Sequence, residues 1–230
     1  MAYIWIFGDS WGDTWGTYGG PEIAPDIGFE HQFEKQGHKI RCLAVAGTSN
    51  RNSLQIAQQV LDKGAKPPTH VIQFWTEPLR DFHYCKEKNL FDVNRKWKFY
   101  DLNNSITEYL INKTKKVKQK MGNPHWAIIG GQSSLKIGHS DRIGATFVIN
   151  HWRNTIMNKN LPDCFLLGSL QLLQDAKNKD DIQTKQGIVD IATEILDSMA
   201  ESNHFLDNAH PDWHSYKKLS QKLLDWIDKT

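Results

Sequence analysis

Five short runs of the chain are almost wholly apolar, and amphipathic stretches separate them. The runs are Ala2 to Phe7, Lys39 to Val45, His70 to Trp75, His125 to Ile129 and Cys164 to Leu167. Strands buried on both faces read this way, without the alternation of a half-exposed sheet. Between the runs, apolar positions recur at helical spacing. Ile27 to Gln36 ends at Gly37. Asn52 to Lys63 carries Leu54, Ile56, Ala57, Val60 and Leu61 and ends at Gly64. Ser105 to Met121 carries Ile106, Leu110, Ile111 and Val117 and ends at Gly122. Thr184 to Met199 and Ser215 to Asp228 have the same character. Strand and helix in alternation predict an α/β domain with a mostly parallel sheet and right-handed crossovers.

Two segments fit this pattern poorly. Residues 11–26 are rich in Gly, Trp and Pro; residues 78–100 are irregular and aromatic, with Phe82, His83, Tyr84, Phe91, Trp97, Phe99 and Tyr100. Both leave the carboxyl end of a predicted strand, where ligands sit in parallel α/β sheets, so both can border one crevice. A minor structural subdomain is the other reading of 78–100.

Bulk properties narrow the field. The chain has 230 residues, read as one domain over 1–230 with an aromatic insertion at about 78–100. Lys and Arg total 28 against 26 Asp and Glu, a formal charge of +2, which gives no whole-protein argument for nucleic acid or an anionic membrane. The one basic run, Lys113 to Lys120, falls late in a predicted helix, where cations suit the macrodipole. Cys42, Cys85 and Cys164 form no Cys-x-x-Cys pair, so no zinc or redox motif is indicated, and no metal or cofactor is expected. Cys42 is expected to be a small buried hydrophobe. No leader and no run of membrane-spanning length is visible, which points to a cytoplasmic protein, although viral structural proteins and leaderless exported proteins look the same. Of nine tryptophans, Trp5, Trp75 and Trp126 fall in or beside predicted strands and are expected in the core. Trp11, Trp15 and Trp213 flank candidate site residues and are candidate walls for a substrate.

The candidate chemistry begins at Gly8-Asp9-Ser10, directly after the first apolar run. Gly8 removes side-chain bulk where the backbone must turn sharply, and a serine at a strand end is well placed as a nucleophile. Such a serine needs a base, an acid to orient that base, and donors for the oxyanion. Asp207-Asn208-Ala209-His210-Pro211 can carry base and acid on one loop before the last helix. A capping turn is the alternative for that loop. The strand from Cys42 runs into Gly47-Thr48-Ser49-Asn50, where Gly47 can present its N–H to an oxyanion and Ser49 or Asn50 can cap the next helix.

Gly8-Asp9-Ser10 after the first strand, Gly47 after the second and Asp207-x-x-His210-Pro211 before the last helix together resemble the SGNH (GDSL-type) hydrolase superfamily, in order and over nearly the whole chain. The resemblance implies a flavodoxin-like, three-layer α/β/α fold around a parallel sheet of about five strands. It implies metal-free hydrolysis of esters of lipids, acylated sugars and related compounds. Ser10 would be the nucleophile, His210 the general base and acid, Asp207 its orienting acid, and the N–H groups of Ser10 and Gly47 would serve the oxyanion hole.

The third strand departs from that pattern. The family places Gly-x-Asn-Asp after it, with the Asn side chain as third donor. Here the chain reads Gln73-Phe74-Trp75-Thr76-Glu77-Pro78-Leu79-Arg80-Asp81, which sets Trp75 at the Gly and Glu77 at the Asn. Losing one oxyanion donor costs roughly 2.7–4 kcal/mol, and an ionised Glu77 cannot replace an amide. Thr76, Asn50 or Gln73 can supply the donor instead; Arg80 can pair with Glu77 and face the site; or activity is weak. The leading expectation is a serine esterase acting on an O-acetylated saccharide or small acyl ester. The rival is a catalytically weak or inactive module on the same fold that binds a glycan or serves a structural role. A phosphate binder using Gly8 to Gly12 as an anion loop is a third reading, and its glycine spacing is wrong for a P-loop. The acyl group and the oligomeric state are not legible.

Overall fold

A computed structural model describes residues 1–12, 29–88, 99–131, 135, 137–159 and 211–230. In chain order the described elements are β1 (Tyr3–Phe7), α1 (Phe29–Lys35), β2 (Lys39–Cys42), α2 (Asn50–Asp62), β3 (His70–Trp75), a 3-10 turn (Pro78–Asp81), α3 (Phe82–Glu87), α4 (Phe99–Lys120), β4 (His125–Gly130), α5 (Ile137–Ile143), β5 (Phe147–Ile149), α6 (Trp152–Met157) and α7 (Trp213–Ile227). The strands form one parallel sheet in the order β2-β1-β3-β4-β5. This is the flavodoxin-like order, with its reversal of direction between β1 and β3.

Alternate strand residues feed two cores, one on each face. Ile4, Ile6, Ile72, Phe74, Ala127 and Ile129 pack with Phe33 of α1, Trp152 of α6 and Tyr216, Leu219 and Leu223 of α7. Trp5, Phe7, Val71, Trp75, Trp126 and Ile128 pack with Leu54 and Ala57 of α2, Leu110 of α4 and Ile143 of α5. Helices on both faces bury both sides of the sheet. That is why β1, β3 and β4 read as continuous apolar runs. The outer strands β2 and β5 are half-exposed.

Several expectations need correction. The fifth described strand is Phe147–Ile149, which has only three residues and no apolar run around it. The runs expected at Cys164 to Leu167 and Thr184 to Met199 lie outside the described residues. Residues 78–88 are not irregular: a 3-10 turn leads into α3, and α4 begins at Phe99, earlier than its apolar periodicity suggests. Helices α5 and α6 are too short to show periodicity. Cys42 is exposed rather than buried, because β2 is a sheet edge. Trp5, Trp75 and Trp126 are fully buried, as expected. The basic run belongs to the end of α4, where Lys120 pairs with Asp62 and Lys118 donates to the carbonyl of Gly144. No described helix is long and apolar enough to cross a membrane.

Candidate active site

Ser10 stands in a turn at the carboxyl end of β1, half-buried, beside the point where the strand order reverses. The turn is moulded on Phe74 of β3. Gly8 has φ +146, and a Cβ there would lie 2.6 Å from the Cβ and carbonyl oxygen of Phe74. A Cβ on Gly12 would lie 2.7 Å from the Phe74 ring. Only glycine lets the backbone pass so close. The carboxylate of Asp9 accepts from the Trp11 N–H at 3.1 Å, and the Gly12 N–H donates to the Asp9 carbonyl at 3.0 Å, which closes the turn around Ser10. The Val45 N–H donates to the Gly8 carbonyl at 3.1 Å and ties the following loop to the same edge.

Trp11 is not an accessible wall. It is 1 % exposed and packs edge-on against Trp152 at 5.5 Å between centroids, so it belongs to the core beneath the turn. Its carbonyl accepts a hydrogen bond at 3.0 Å from the hydroxyl of Tyr216, at the end of the first turn of α7. The last helix is therefore pinned to the residue after Ser10. Asp212 caps that helix, accepting from the Ser215 N–H at 2.7 Å, so its N-terminus does not need Asp207 as a cap. Asp207, His210 and Trp15 lie outside the described residues, and Trp213 is the first residue of α7.

Gly47 sits in an exposed turn after β2, with φ +72 and open space around it. The turn ends in a buried anchor. Ser49 caps α2 by accepting from the Asn52 N–H and donates to Asp81 at 2.5 Å, while the Arg51 N–H donates to the other Asp81 oxygen at 3.1 Å. Burial pushes the Asp81 carboxyl above its ordinary range, against the hydrogen bonds from Ser49 and Arg51 that lower it.

Asn50 is fully buried and clamps the backbone of Thr76: its amide donates to the Thr76 carbonyl at 2.7 Å, and its oxygen accepts from the Thr76 N–H at 3.0 Å. This corrects its place among the candidate oxyanion donors, since it holds Thr76 instead of facing a substrate. Gln73 is buried in the sheet and accepts from the Trp126 indole at 3.0 Å, so it too is removed from the site. Glu77 is fully buried. Arg80 lies 3.6 Å from Asp9 and donates to the Thr48 carbonyl at 3.3 Å, so it forms an ion pair with Asp9. The Arg80–Asp9 pair joins residues far apart in the chain, and no local sequence pattern announces it. Among the described residues, no cluster of His, Cys, Asp and Glu could hold a metal ion.

No protein-family model matches the chain, and no curated protein matches it in sequence. Solved structures do match in shape. TesA aligns over 97 % of this chain and 96 % of its own, with a TM-score of 0.50 and 9 % identity. The chain has the fold of TesA. The psychrotrophic esterase EstA from Pseudoalteromonas sp. aligns over 99 % of this chain and 97 % of its own, at TM-score 0.48 and 13 % identity. A protein described as a GDSL-like lipase from Parabacteroides merdae aligns over 95 % and 92 %, at 0.45 and 11 %.

Proposed function

We propose that the protein is a serine ester hydrolase. Ser10 is its nucleophile, His210 its general base and acid, and Asp207 the carboxylate that orients His210. The observation that carries this reading is the 3.0 Å hydrogen bond from Tyr216 to Trp11, which ties the helix that follows Asp207-x-x-His210 in the sequence to the residue directly after Ser10. The shared fold with TesA and the position of Ser10 at the switch point support the same reading.

His210 takes the Ser10 proton as Ser10 Oγ attacks the ester carbonyl. The N–H groups of Ser10 and Gly47 hold the tetrahedral oxyanion. His210 then protonates the leaving alcohol, and water activated by His210 hydrolyses the acyl-enzyme. The third donor is the hydroxyl of Thr76. Register pairs Phe7 with Gln73, so β1 and β3 bring Ser10 and Thr76 to one edge. Asn50 fixes the Thr76 backbone on both sides. Small acyl esters and O-acetylated saccharides are the proposed substrates. Ser10→Ala is expected to abolish hydrolysis of p-nitrophenyl acetate at unchanged melting temperature; equal activity in the variant would sink the assignment. A binding module without catalysis is the second reading, favoured by Glu77 where the resemblance places an Asn.

A further inference from the structure

We infer that Arg80 is a positioning residue that holds the Ser10 turn and the Gly47 turn at a fixed separation; the inference rests on the esterase reading above. Its Nη1 lies 3.6 Å from Asp9 Oδ2 and 3.3 Å from the Thr48 carbonyl. Asp9 immediately precedes Ser10, and Thr48 immediately follows Gly47. The Asp9 carboxylate also spans the Ser10 turn, since its other oxygen accepts from the Trp11 N–H. One guanidinium nitrogen therefore joins the two backbone segments that carry the proposed oxyanion donors.

The pair is built in, not draped on the surface. The Asp9 side chain is 8 % exposed and that of Arg80 11 %. Arg80 itself is fixed by the 3-10 turn, where its N–H donates to the Glu77 carbonyl at 3.2 Å and Leu79 is buried. The Val45 N–H on the Gly8 carbonyl ties the near end of the Gly47 turn to the Ser10 edge, and Arg80 adds a tie at its far end. Val45, Ala46 and Gly47 are exposed, and the turn's own backbone bond runs from Thr48 N–H to Val45 carbonyl. Two donors stabilise an oxyanion only when both lie within hydrogen-bond reach of the same oxygen, so drift of one turn forfeits the hole. Arg suits the task because its guanidinium holds its N–H donors in a rigid plane, whereas the three donors of a lysine ammonium rotate on a flexible stem.

Arg80→Lys and the double variant Asp9→Asn/Arg80→Gln test the brace. The double variant removes both charges together and so leaves no lone buried ion. Steady-state kinetics on p-nitrophenyl acetate are measured beside amide hydrogen exchange. The double variant is expected to lose roughly 10- to 100-fold in kcat, with KM changed by less than about two-fold. Exchange at Ser10, Gly47 and Thr48 quickens while the β1 and β3 amides keep their protection. Arg80→Lys recovers part of kcat. Unchanged kcat and unchanged exchange in the double variant overturn the inference. So does protection lost evenly through β1 and β3, which would make Arg80 a general structural residue. Quickened exchange confined to the two turns, in a protein whose wild type hydrolyses no ester, upholds the brace and fails the esterase reading.

Discussion

The turn that carries Ser10 and the turn that carries Gly47 share one sheet edge and are built in opposite ways. The Ser10 turn is cast into the core: Gly8 and Gly12 press on Phe74, Trp11 is buried against Trp152, and Tyr216 holds it from α7. The Gly47 turn stands in solvent, with Val45 46 % exposed and nothing within 4 Å of a Cβ at Gly47. Its order comes from its ends, through Val45 on the Gly8 carbonyl, Ser49 on Asp81 and Arg80 on Thr48. The difference teaches where preorganisation comes from in this site. Ser10, the proposed nucleophile, is positioned by packing, and Gly47, the proposed facing donor, is positioned by polar contacts.

Substitutions can break or sharpen that contrast. Gly8→Ala has the largest expected effect. It sets a Cβ against the Phe74 backbone at a φ that side chains avoid, so a loss of about 2–5 kcal/mol in denaturant unfolding is expected. Thr76→Val removes the proposed third donor at constant shape. It is expected to lower kcat about 10²-fold, with the melting temperature unchanged, while Thr76→Ser keeps most activity. Gly47→Ala meets no neighbour and costs only the left-handed backbone penalty, about 1–2 kcal/mol. If Gly8→Ala and Gly47→Ala destabilise equally, the contrast between the turns is wrong.

The amino-terminal edge of the sheet gives a control far from the crevice. There His70 stacks on His125 at 5.0 Å and contacts Thr69 and Thr230. Burial, then the neighbouring His125 and His38, push the His70 imidazole down to about 4. The unfolded chain takes up this proton near pH 6.5, and the folded protein only near pH 4. Between those values the unfolded state binds more protons, so stability falls as pH drops through the window. His70→Asn is expected to flatten that slope in melts run from pH 7 to pH 4, and an unchanged slope would assign it to other groups.

The sheet was legible where strands are buried on both faces. β1, β3 and β4 read as continuous apolar runs because helices cover both sides of them. β5 was not legible, since an edge strand of three half-exposed residues leaves no run to find. Gly8 was legible as a turn glycine, but not its reason, the approach to Phe74, which is a contact across strands. Trp11 misled because nearness to Ser10 in sequence says nothing of which way a turn points its side chains. Asn50 and Arg80 were legible only as polar residues near the site. Their partners, Thr76, Asp9 and Thr48, come from other loops, and only the parallel sheet brings those loops to one edge.

The central claim is that Ser10 is an activated nucleophile. Incubation of the intact protein with a fluorophosphonate probe, followed by peptide mapping, tests it most directly. The account predicts a single phosphonyl adduct on Ser10, absent in Ser10→Ala and slowed in His210→Ala. Folded wild-type protein that takes up no probe, or takes it up at another residue, contradicts it.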